Sequence, residues 1–98
     1  MKRDQIIARL RAAEPELRAR GIRHAALFGS VARGEERPGS DIDILLEFEP
    51  GAEGSIYDYV RLKEYVAALF EEQVDVIDRD ALKPHLRGPA ARGSLYAF

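Results

Sequence analysis

Cysteine is absent from the 98-residue sequence, which excludes disulfide bonds and any metal site built on thiolates. Long hydrophobic runs are absent too, because no segment approaches the roughly 20 apolar residues that span a membrane. The opening stretch MKRDQIIARLR lacks the apolar core of a secretory signal. We therefore expect a cytoplasmic protein with no membrane partner.

An excess of cationic side chains is also missing. The sequence has 15 Lys and Arg residues against 17 Asp and Glu residues, a net charge of −2, and its basic residues are scattered along the chain. Nucleic-acid binding needs a clustered cationic face that neutralises phosphates, so we expect no direct nucleic-acid partner. A single nucleotide is not excluded, because a bound metal ion can balance its charge.

The length predicts one domain over residues 1–98. Apolar residues recur with the spacing of helices or strands in several segments. In chain order these segments are a helix over 3–12, a short helix beginning at Pro15, a strand over 22–29, a strand over 41–49, a helix over 55–72 and a strand over 73–78. The order predicts an α+β fold, a small mixed sheet of about three strands with helices packed on the face of Ile42 and Ile44. Gly88 and Pro89 interrupt the end of the sequence, so we expect residues 88–98 to be loosely held.

Two aspartates, Asp41 and Asp43, lie two residues apart in the strand predicted over 41–49. Side chains at i and i+2 of a strand point to the same side, with α-carbons roughly 6.5–7 Å apart. The two carboxylates repel each other unless a cation intervenes, and their converging oxygens suit a hard divalent cation such as Mg²⁺. A solvated strand face explains the same pair, so the pattern alone leaves both interpretations open.

Asp75 lies between valines in the strand predicted over 73–78, a position that strand propensity disfavours for aspartate. A charge on an edge strand and a third metal-binding carboxylate both explain it. Two-metal phosphoryl-transfer sites hold ions about 3.5–4 Å apart, and an aspartate pair with a third carboxylate can do so.

Gly29 and Ser30 end a predicted strand and open a predicted short helix. Free backbone N–H groups, a hydroxyl and the positive end of a helix dipole would then face the place where a phosphate could bind. Arg33 follows one helical turn later and could reach the same phosphate. An ordinary capped turn and a solvated arginine explain these residues as well.

The whole phrase reads LFGSVARGEERPGSDIDILLEF, with VDVI about thirty residues later. It resembles the signature of the DNA polymerase beta-like nucleotidyltransferase superfamily, and most closely its smallest prokaryotic members, the minimal nucleotidyltransferase or MNT domains. The resemblance spans about residues 5–87 and implies a nucleotidyltransferase fold. A tail interrupted at Gly88 and Pro89 departs from the helix with which such relatives continue.

The resemblance implies roles for individual residues. Asp41 and Asp43 would bind two Mg²⁺ ions that hold the triphosphate of ATP, and Asp75 would complete the site that activates the acceptor hydroxyl. A hydroxyl would attack the α-phosphorus and release pyrophosphate. The implied nucleotide-binding positions are Gly29, Ser30, Arg33 and Ser40.

Domains of this size are often encoded beside a HEPN-domain protein, as the antitoxin of a toxin–antitoxin pair. The resemblance therefore implies transfer of AMP from ATP to a hydroxyl, that of a tyrosine, on a HEPN ribonuclease toxin. Two alternatives stay open: an antitoxin that neutralises its toxin by complex formation without catalysis, and a nucleotidyltransferase with a small-molecule acceptor. Because the sequence has no further domain for the acceptor, we expect a partner protein or a homo- or hetero-oligomer to complete an open cleft.

Overall fold

The computed structural model describes residues 2–29, 32, 34, 42–52, 54–70, 72–85 and 93–98. Its helices and strands follow in chain order as α1 (Arg3–Ala12), α2 (Glu14–Ala19), β1 (Ile22–Phe28), β2 (Ile42–Phe48), α3 (Ile56–Ala68), β3 (Val74–Asp78), a 3₁₀ turn (Arg79–Ala81) and β4 (Leu95–Tyr96). Within the described residues, no helix has the length and apolar character needed to cross a bilayer.

The strands of the described residues form one mixed sheet in the order β3-β2-β1-β4. β1 is antiparallel to both of its neighbours, whereas β2 and β3 are parallel. Parallel neighbours need a crossover connection, and α3 provides it. The predicted α+β fold, with a small mixed sheet and helices packed on one side, is confirmed.

The core lies between one face of the sheet and the helices. Ile42, Ile44 and Leu46 of β2 are fully buried in one cluster with residues of all three helices. Successive side chains of a strand point to opposite faces, so Asp43 and Glu47 lie on the other face of the sheet. We call that second face, which carries Asp43, Glu47 and Asp75, the acidic face.

The short helix predicted to begin at Pro15 is α2, which starts one residue earlier, at Glu14, and is followed by a turn at Gly21. Pro15 lies in the first turn of α2, where its missing N–H costs no hydrogen bond. Gly21 ends the helical region with a φ of +92°, a conformation that side chains rarely adopt. A Cβ at Gly21 would also lie 2.9 Å from the Cβ of Ala52, so this tight turn requires glycine.

A capping box fixes the beginning of α3. The Asp58 carboxylate accepts hydrogen bonds from the Ser55 N–H at 3.0 Å and from the Ser55 hydroxyl at 3.1 Å, and the Ser55 hydroxyl accepts one from the Asp58 N–H at 3.3 Å. These bonds satisfy N–H groups that the first turn of a helix leaves unpaired. Chiefly because of the bond from the Ser55 backbone, the pKa of Asp58 lies below its usual value.

This lowered pKa predicts how stability depends on pH. A carboxyl group whose pKa is depressed in the folded state contributes stability above its unfolded pKa of 3.8 and loses it as pH falls through the folded pKa. As the pH is lowered from about 5 through the folded pKa of Asp58, we expect the Asp58→Asn variant to lose less stability than the wild type. Thermal unfolding at a series of pH values measures this difference. An unchanged acid profile in the variant would contradict this assignment.

The end of the chain differs from the sequence expectation. Residues 95–98 are held against β1 and α1: the Ala97 N–H donates to the Ala25 carbonyl at 2.8 Å, and the Arg11 Nε–H donates to the Ala97 carbonyl at 2.9 Å. A strand of two residues is too short to show an alternating pattern, so no periodic signal predicts β4. Gly88 and Pro89 lie outside the described residues.

Candidate functional site

Asp43 and Asp75 are direct neighbours across two strands. The parallel register of β2 and β3 pairs Asp43 with Asp75. Strands lie about 4.8 Å apart, and residues paired in this way point to the same face of the sheet. The two carboxyl groups therefore stand side by side on the acidic face, with Asp43 half-buried and Asp75 exposed.

The backbone turn at Gly29 lies against the carboxylate of Asp43. Gly29 follows the last residue of β1 and has a φ of +82°. A Cβ built on Gly29 would overlap the Asp43 carboxylate and would lie 3.1 Å from the Asp43 Cγ. Only a residue without a side chain lets the backbone approach the carboxylate this closely.

Four of the predicted site residues lie outside the described residues. They are Ser30, Arg33, Ser40 and Asp41. The short helix predicted after Gly29 falls in the same region. Their roles stay predictions.

The described pair fits a divalent cation. Two carboxylates paired across neighbouring strands repel each other, and a bound cation would remove that repulsion. Carboxylate oxygens are also the ligands that Mg²⁺ prefers. Among the described residues, no group of three or more His, Cys, Asp or Glu side chains could hold a metal ion. The predicted third carboxylate, that of Asp41, lies outside this part of the chain.

Phe28 is a residue of the site that sequence reasoning missed. It pairs with Asp43 across β1 and β2, so Phe28, Asp43 and Asp75 form one row across three strands of the acidic face. Its side chain is half-buried. The apolar run that contains Phe28 predicts a strand buried on both faces. It therefore does not show that Leu27 points into the core and Phe28 points to the other face.

A cavity of about 410 Å³ lies at the opposite end of β2. Phe48 and Leu62 line its apolar wall, and Arg20, Arg61 and Asp58 contribute polar groups. Phe48 is five residues from Asp43, which corresponds to roughly 17 Å along a strand. The Asp58 carboxylate there is already engaged by Ser55. This cavity is therefore separate from the carboxylate pair.

Comparison with known proteins identifies the family. The model of the nucleotidyltransferase domain family matches residues 9–93. The protein adenylyltransferase MntA of Thermococcus cleftensis is 36% identical over 94 residues, which are 95% of this chain and 93% of that protein. The sequence similarity thus extends over nearly the full length of both.

Solved structures agree with this assignment. A structure described as a minimal nucleotidyltransferase superposes with a TM-score of 0.81 at 35% identity and covers 97% of this chain and 95% of that chain. A crystal structure of a toxin–antitoxin with AMP-PNP superposes with a TM-score of 0.71 at 20% identity, covering 92% and 72%, and shows the shared fold. The chain therefore belongs to the nucleotidyltransferase domain family, as one of its minimal members and a nucleotidyl-transferring enzyme, in agreement with the spaced Gly-Ser and Asp-x-Asp phrase of its sequence.

Proposed function

We propose that the chain is a Mg²⁺-dependent protein adenylyltransferase that transfers AMP from ATP to a tyrosine hydroxyl of a HEPN ribonuclease toxin and so acts as its antitoxin. The observation that carries the proposal is the paired register of Asp43 and Asp75 on one face, beside the turn at Gly29. The similarity to MntA, a protein adenylyltransferase, supports a protein as the acceptor.

In this proposal Asp41, Asp43 and Asp75 would hold two Mg²⁺ ions. The bound ions would neutralise charge on the attacking and leaving oxygens of an in-line displacement. The acceptor oxygen forms a bond to the α-phosphorus, the bond from that phosphorus to the bridging oxygen breaks, and pyrophosphate leaves. A carboxylate oxygen of Asp75 receives the proton of the acceptor hydroxyl.

The position of Asp75 suits an acceptor that belongs to a large molecule. Its strand, β3, is at the edge of the sheet in the described part of the chain, and its side chain is exposed. A tyrosine on the surface of another protein can approach such an edge without entering a deep cleft. The same openness leaves water poorly excluded, so the partner protein or an oligomer would have to cover the site during transfer.

The triphosphate is assigned to the turn that follows β1. Backbone N–H groups in a turn at the start of a helix bind phosphate oxygens, and the close approach of Gly29 to Asp43 would bring such groups next to the ions. We assign the β- and γ-phosphates to Gly29 and Ser30. Arg33 and Ser40 complete the proposed nucleotide contacts because they lie in the nucleotidyltransferase-like motif LFGSVARGEERPGSDIDILLEF.

The proposal is tested by the intact mass of the toxin. A HEPN ribonuclease toxin, the acceptor that this proposal names, is incubated with the chain, ATP and Mg²⁺, and we expect its mass to increase by whole AMP units, with the increment mapping to a tyrosine. The matched control contains the Asp43→Asn variant at the same concentration. If toxin activity falls while its mass stays constant with every nucleoside triphosphate, transfer is not the mechanism.

A second candidate function is neutralisation by complex formation alone. It is favoured by an exposed apolar patch at the start of α3, where Ile56, Tyr57 and Val60 are 69%, 75% and 45% exposed. Contiguous exposed apolar residues often mark contact sites for other proteins. Suppression of the toxin in cells by Asp43→Asn, at the level of the wild type, would favour this candidate over AMP transfer.

A further inference from the structure

We propose that Phe28 binds the nucleobase of ATP and thereby positions the nucleotide. This inference rests on the proposed function and adds a residue for recognition of the base. Three paired residues form a row across the sheet: Phe28 on β1, Asp43 on β2 and Asp75 on the edge strand β3.

The order of this row puts the protein acceptor on one side of Asp43 and the nucleotide on the other. Asp75 is at the edge where a protein acceptor can approach, and Phe28 lies on the other side of Asp43. Directly opposed side chains of antiparallel strands have Cβ atoms about 4.5–5.5 Å apart, so the ring of Phe28 stands next to the Asp43 carboxylate. Gly29, to which we assign phosphates, is the next residue in the chain. The ring therefore lies on the nucleotide side of the site.

The exposure of Phe28 sets it apart from its own strand. The other apolar residues of β1 are buried, at 0–1% exposure, and they are Ile22, Ala25, Ala26 and Leu27. Phe28 alone among the apolar residues of this fully described strand keeps part of its side chain accessible. An aromatic ring that remains accessible beside charged groups offers an apolar face, and the faces of nucleobases stack on such rings.

The absence of tryptophan from the sequence permits a direct optical test. Phe28→Trp would introduce a single indole at the proposed base contact. We expect its fluorescence to change saturably on addition of ATP with Mg²⁺ and to stay constant on addition of inorganic tripolyphosphate, which has no base. The matched control is Tyr57→Trp. Tyr57 is 75% exposed on α3, which begins after the end of β2 that is remote from Asp43. Its fluorescence should show no saturable change.

Binding constants give a second readout. Because stacking on an aromatic ring is lost, we expect Phe28→Leu to raise the Kd for ATP about ten-fold and to leave the Kd for tripolyphosphate within about twofold of the wild type, as measured by calorimetry. Equal losses for both ligands would mean that the ring only supports the turn, and no loss for either would mean that it does not contact the base. Either result overturns the inference.

The outcomes also separate this inference from the proposed function. Saturable quenching of the Phe28→Trp variant by ATP, together with a toxin whose mass never changes, would leave the base contact standing and remove protein adenylylation. Adenylylation of the toxin by the wild type, together with Phe28→Trp fluorescence that does not change on addition of ATP, would remove the base contact and leave protein adenylylation standing. A wild-type chain that binds no ATP in calorimetry would overturn both.

Discussion

Asp43→Asn is expected to lower kcat for AMP transfer by at least about a thousand-fold, since a carboxylate that holds the ions contributes several kcal/mol to the stability of the transition state. Asparagine has nearly the same shape but carries no charge, so it would hold a divalent cation much less well. The measurement is the rate of AMP incorporation into the toxin at saturating ATP and Mg²⁺. Asp75→Asn should behave in the same way, because the two residues are paired in the sheet.

The folded state should tolerate Asp43→Asn. The amide of asparagine keeps the shape of the carboxylate and an oxygen that can accept a hydrogen bond, so the free energy of unfolding is expected to change by less than about 1 kcal/mol. A matched control is Glu47→Gln, which removes a carboxylate from the same strand and the same face, where Glu47 pairs with Arg79 at 3.7 Å. This control should keep its activity. Retention of more than about a tenth of the wild-type rate by Asp43→Asn would exclude its proposed role.

Gly29→Ala is expected to lower the rate of AMP transfer about a hundred-fold and to lower the free energy of unfolding by about 2 kcal/mol. The new methyl group would overlap the Asp43 carboxylate and force either the turn or the carboxylate to move. Displacement of a catalytic group by about 1 Å can cost a hundred-fold in rate. Urea unfolding and the rate of AMP incorporation measure the two effects separately.

Gly51 supplies the matched control for this prediction. Its φ of +78° is close to that of Gly29, but a Cβ at Gly51 would meet nothing within 4 Å. Gly51→Ala should therefore carry a similar backbone penalty and keep full activity. Equal losses of activity in both variants would mean that stability, rather than the contact with Asp43, determines the effect of Gly29→Ala.

The position of Asp43 in the candidate site follows from the sequence because its signal is local. Alternation along β2 is enough to place Asp43 on the face opposite Ile42 and Ile44, and this prediction is confirmed. The pairing of Asp43 with Asp75 could not be predicted in the same way. Register between two strands joined by a helix depends on how α3 packs, and no feature within either strand specifies it.

Two further features escaped prediction for physical reasons. Phe28 ends a run of apolar residues in which both faces of β1 are buried, so no alternation marks it as a residue of the site. The helix predicted over 55–72 ends at Ala68, where the Leu69 and Phe70 N–H groups donate to carbonyls three residues earlier, the tighter pattern in which α-helices commonly end.

The placement of β4 beside β1 has a consequence for synthesis of the protein. β1 is made early, but one of its two neighbours is formed by residues 95–96, far along the chain. A growing polypeptide on the ribosome would thus present one unpaired side of β1 to the surrounding solution until that late segment emerges. Exposed strand edges invite pairing with other chains, so this interval is when nascent molecules would be most prone to associate wrongly.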